Sequence, residues 1–132
     1  MAIDHLHPIL TRVGGLQYHF TTKHHSGGKL SDACWAISEE DEFQVFDDGA
    51  FHGIADTDGN VYGVLGDGKG SLRELGTYQE QVAEFPITLP PHAWHGYPCY
   101  PLGNAGSEKR RGERARPAKI VFDRLMAAGM IT

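Results

Sequence analysis

Four of the chain's seven prolines crowd into thirteen residues, the stretch PPHAWHGYPCYPL from Pro90 to Leu102. Proline fixes φ and brings no backbone N–H, so Pro90, Pro91, Pro98 and Pro101 exclude a helix and a central strand there. Leu89, Tyr97 and Tyr100 each precede a proline and are pushed towards extended backbone. Gly96 is left as the place for a bend or a close backbone approach. The expectation is a stiff, extended loop lying across an apolar surface.

The same stretch holds the densest chemistry in the chain. His92, His95 and Cys99 form an H-x2-H-x3-C pattern of ligand types that zinc favours, provided the chain turns at Gly96. Three ligands fall one short of a structural zinc site, and Cys34, His52 or water would have to complete it. Zinc is therefore the one cofactor worth naming, and otherwise none is expected. A second reading makes His95 or His92 a general acid or base, because imidazole titrates near neutral pH, with His52 as the long-range companion. That reading describes a histidine-dependent hydrolase or nuclease. The plainest reading comes first: a packing loop whose histidines cap carbonyls and whose rings close one end of the core.

Length and composition bound the remainder. A chain of 132 residues suits one domain spanning 1–132, with a core that needs no staples. Seventeen glycines and seven prolines favour turns and short strands. The net charge of −5 argues against a nucleic-acid binder as a whole. Two cysteines are too few for a disulfide framework, so reduced thiols in a cytoplasmic setting are expected. No run reaches membrane-spanning length, and no membrane partner is expected.

Local patterns give the fold class, α+β with a mainly antiparallel sheet. LQYHFTT (16–22) alternates apolar and polar residues as a half-buried strand does. ACWAISE (33–39) and EFQVFDD (42–48), joined by an acidic turn, read as a first hairpin over 33–48. A second hairpin is expected near 50–65, where Asp56, Asp58, Gly59 and Asn60 supply the turn. The D-x-D-G-N start of a calcium loop is present, but its twelfth-position glutamate is replaced by Asp67, so a turn is expected. GDGKGSLREL (66–75) reads as a flexible connection. Tyr78–Glu84 suggests a short helix or turn, followed by an extended segment that delivers the proline-rich loop.

Behind that loop, residues 103–117 form a basic arm with almost no apolar content, including Arg110, Arg111 and Arg114. The arm fits phosphate backbones or an acidic protein surface, and equally a solubilising linker or an arm folded over the chain's own acidic turn. A C-terminal helix follows, opened by Pro117, with Ile120, Val121, Leu125 and Met126 on its apolar face and Gly129 just past its end. The functional expectation is a small accessory domain that binds a macromolecular partner. Another protein is favoured and nucleic acid is the alternative through the basic arm. Trp94, Tyr97 and Tyr100 are the expected anchors, since rigid rings bury area at low entropic cost.

Overall fold

Thirteen residues spanning the end of one expected hairpin and the start of the next wind instead into a helix. The computed structural model of the chain describes residues 9–14, 16–20, 34–77, 79–89, 92–100 and 117–131. Strands β1 (Ile9–Leu10) and β2 (Gln17–Tyr18) form a two-stranded antiparallel ribbon, and helix α1 (Glu39–Phe51) follows. Ser38 caps α1 by accepting the N–H of Asp41 through its hydroxyl, 3.1 Å away. Four acidic residues in the first turn suit the positive end of the helix dipole. The helix stops in a Schellman turn: Gly53 at φ +68 donates to the Ala50 carbonyl, and Ile54 donates to that of Gly49. Glu42, Val45, Phe46 and Gly49 lie at i, i+3, i+4 and i+7 and are all buried, which is the helical period. The expected hairpin over 33–48 is thus corrected. Its first strand survives as a single bridge, Trp35 to Gly76, with the Ala36 N–H on the Leu75 carbonyl at 2.7 Å.

The main sheet is antiparallel, in the order β3 (Val61–Gly63), β4 (Val82–Phe85), β5 (Tyr97–Tyr100). The second expected hairpin contracts to 54–62. Ala55 bridges Val61, the Tyr62 N–H reaches the Ile54 carbonyl, and residues from 51 back belong to α1. Asp56 builds its turn, accepting the N–H groups of Asp58 and Asn60, the Asn60 amide and the Tyr62 hydroxyl at 2.9–3.1 Å. Burial opposes ionisation of Asp56, but these hydrogen bonds outweigh it and hold its pKa below the ordinary carboxylate range. Residues 66–72 are not a loose connection. Asp67 accepts the N–H groups of Lys69 and Ser71, and Gly66 bridges Leu72.

Of the short helix or turn expected around 78–84, the turn and the strand after it are found and the helix is not. Gln79 stands at φ +68 in a turn, and the chain is already a strand by Val82. β4 ends just before Pro86, which has no N–H for a ladder. Within the proline-rich stretch, Tyr97–Tyr100 is strand β5, the outer strand opposite β3 in the sheet order. Pro98 is tolerated there, and the register with β4 slips between Val82 and Ala83 beside it.

Both faces of this sheet are covered. On one, Val45 and Phe46 of α1 meet Val61, Ala83, Phe85, Tyr18, Phe20, Trp35, Leu75 and Trp94. On the other, Val121 and Leu125 of α2 (Lys119–Ala127) meet Tyr62, Val64, Val82 and Cys99, so the expected C-terminal helix packs on the sheet. α2 begins after Pro117 with Ala118 as N-cap, two residues later than expected. It ends in the same turn as α1, with Gly129 at φ +73 and the Met130 N–H on the Leu125 carbonyl. α1 crosses β3 with backbone against backbone. A Cβ on Gly49 would strike the Tyr62 carbonyl, and one on Gly63 would strike the Val45 carbonyl. Among the described residues, no helix is long and apolar enough to cross a membrane.

Candidate functional site

The proline-rich loop is fastened to the body before it reaches β5. The Trp94 N–H donates to the Gln17 carbonyl at 2.6 Å and the His19 N–H donates to the Trp94 carbonyl at 2.8 Å, a one-residue parallel pairing with β2. This pins the Trp94 indole inside the aromatic core, 5.5 Å from the Phe46 ring. Trp94 is therefore a core residue, and its expected role as a surface anchor is corrected. Gly96 lets the loop pass, because a Cβ there would collide with the Phe85 ring. Its carbonyl accepts the Trp35 indole N–H at 3.0 Å. Tyr97 and Tyr100 are half-buried over the α2 cluster, with the Tyr100 ring edge-on to Phe122 at 6.3 Å.

The three expected metal ligands are not brought together. Cys99 is buried beneath α2, His95 is half-buried and His92 is exposed. Among the described residues, no three His, Cys, Asp or Glu side chains are placed to hold one ion. The physical reason is that Cys99 sits in β5 and packs into the α2 core, while His92 stands exposed before the strand begins. Cys34 and Cys99 form no disulfide. His52 is the exposed C-cap of α1, with its ring edge-on to Phe51 at 5.2 Å. Arg110, Arg111, Arg114 and the rest of 103–116 lie outside the described residues.

Two arrangements on the α1 side of the molecule were not expected. The first is internal: the Tyr18 hydroxyl donates to the carboxylate of Glu42, both buried, with Phe20, Phe43, Phe46 and Phe85 around the phenol. Burial, then the Glu42 charge, pushes the Tyr18 pKa well above that of an ordinary phenol. The second is external. Arg12, in the turn between β1 and β2, donates its backbone N–H to Asp47 at 2.8 Å. Its guanidinium forms ion pairs with both Asp47 and Asp48. The same guanidinium lies 4.3 Å above the centre of the Phe51 ring. Phe51 is 54% exposed, and Leu10 and Val13, on either side of Arg12 in the chain, are 63% and 47% exposed.

A second exposed apolar pair, Ile87 at 50% and Leu89 at 69%, leads into the proline-rich loop beside His92. An open recess of about 560 Å³ at the start of α2 is lined by Pro117, Lys119, Phe122 and Asp123, and none of these was expected as a site residue. Of the Arg12 surface, only the Phe51 half left a signal in the sequence. Phe51 follows two aspartates and precedes His52-Gly53, and once 39–51 is read as a helix it is an apolar residue stranded at the polar end. No protein-family model, curated protein or solved structure matches this chain.

Proposed function

We propose that this chain is an interaction domain whose partner is another protein. The observation that carries this reading is the exposure of three large apolar side chains, Leu10 and Val13 on either side of Arg12 in the chain and Phe51 beneath its guanidinium. Apolar side chains scattered singly over a surface need no explanation, whereas an exposed ring held under an ion-paired guanidinium suits a contact surface. Arg12, ion-paired to Asp47 and Asp48, restrains Phe51, so that ring loses little side-chain entropy when a partner covers it. Ile87 and Leu89 are a second exposed apolar pair, at the entry of the 90–102 loop. The basic composition of residues 103–117 adds affinity for acidic surfaces on the same partner or on a nucleic acid.

The test compares cross-linked complexes of the wild type with those of a triple variant, Leu10→Ser, Val13→Ser and Phe51→Ser. All three side chains are exposed, so the melting temperature should hold, while recovery of the specific partner falls by about tenfold or more. A variant that recovers the same complexes at the same yield removes this surface from the function.

A further inference from the structure

What lies between each helix and the sheet sets how freely that helix can move. Where α1 crosses β3, backbone lies against backbone at Gly49 and Gly63. α2 holds no glycine and meets the sheet through side chains, Val121 and Leu125 packing with Tyr62, Val64, Val82 and Cys99. Of its nine residues Val121 and Leu125 are buried and the rest keep solvent access, so little burial is lost when the helix leaves. Its N-cap Ala118 supplies no side-chain hydrogen bond. A polar tie to the body runs from the Arg124 guanidinium, which donates to the Ala55 carbonyl at 2.8 Å in an exposed position where water can replace it. The Lys119–Asp123 ion pair joins the helix to itself and not to the sheet.

The core is divided to match. Among the described residues, the aromatic cluster under α1 and the cluster under α2 have no member in common. Removal of α2 therefore wets Tyr62, Val82 and Cys99 and leaves the packing of Tyr18, Phe46 and Phe85 intact. We infer that α2 is a releasable cover: it opens as a unit from a body that stays folded, and uncovers an apolar strip that contains the Cys99 thiol. Cys99 is 1% exposed beneath the closed helix, so its reactivity reports the opening directly. The motion is independent of the Arg12 surface, which lies on the α1 side of the molecule.

The experiment follows alkylation of the full chain by dilute iodoacetamide, with peptide mapping to separate Cys99 from Cys34, alongside amide hydrogen exchange. Cys99 is expected to react through an opening that low urea hardly changes, well before the circular dichroism transition, and α2 amides should exchange ahead of those of α1. Leu125→Ala should raise the Cys99 rate by about tenfold or more. Arg124→Ala, at an exposed position that leaves folding intact, should raise it by about threefold. Tyr18→Phe, in the aromatic cluster, should lower the urea midpoint and leave the Cys99 rate within about twofold. A Cys99 rate that tracks global unfolding, quickened by Tyr18→Phe as much as by Leu125→Ala, overturns the inference. So does a rate indifferent to both α2 variants that keeps step with exchange of the β5 amides, because the thiol is then reached by fraying of the outer strand.

Discussion

The two helices cover opposite faces of one small sheet, yet they are built on different principles. α2 is an ordinary amphipathic helix. Val121 and Leu125 are buried against Val82 and Cys99, its polar residues face water, and Ala118 offers no side-chain cap. α1 is capped by Ser38 and buries a glutamate, an aspartate and a glycine among its inward positions. Its face of the core is aromatic and includes the Tyr18–Glu42 hydrogen bond, while the α2 face is largely aliphatic. The difference shows that a helix can be held to a sheet by close backbone approach and buried polar pairing as well as by an apolar stripe.

That contrast is most open to attack at the α1–β3 crossing. Gly63→Val should cost more than about 3 kcal/mol and leave little folded protein by circular dichroism, since the added atoms meet the Val45 backbone, which cannot yield as a side-chain tip can. Exposed Ala127 on α2 should accept the same valine with a loss of under about 1 kcal/mol. Equal losses would mean that the close crossing is not what fixes α1.

The next effect is at the buried pair. Tyr18→Phe removes the donor from a buried carboxylate and should lower stability by about 1–3 kcal/mol in urea unfolding. The Tyr18 pKa is raised in the fold, so its contribution is complete below the unfolded phenol pKa of about 10 and is lost as pH climbs above it. The variant should accordingly lose stability less steeply than the wild type between about pH 10 and 11. Identical alkaline slopes would remove Tyr18 from the account.

The smallest effect concerns the caps. Ser38→Ala should cost about 1 kcal/mol, whereas Ala118→Ser should gain about half that by supplying α2 with the oxygen it lacks. Matching losses in thermal melts would show that the capping difference between the helices is not energetic.

The same contrast explains how much was legible beforehand. The C-terminal helix could be read from Ile120, Val121 and Leu125 and from Gly129, because every local signal agrees with the packing. The antiparallel sheet and the Asp56 turn were legible for the same reason. α1 was not, since Glu42 and Gly49 occupy the apolar stripe and Phe43, Val45 and Asp47 imitate a strand's alternation. In the proline-rich stretch, the extended backbone was visible but the side-chain destinations were not. Nothing local says that Trp94 turns inward onto Phe46 or that Cys99 is carried under α2. The Arg12 surface unites residues 35 positions apart, so no pattern within a short window could reveal it.

The glycine crossing of α1 and β3 has a mechanical consequence. With main chain lying against main chain at Gly49 and Gly63, there is no cushion of rotatable groups on which the helix could slide or roll. A load placed on the Phe51 end is passed directly to the central layer and is not absorbed by local repacking. A partner docking there, as proposed, would meet an anvil rather than a spring, and complementarity of shape would have to come from it.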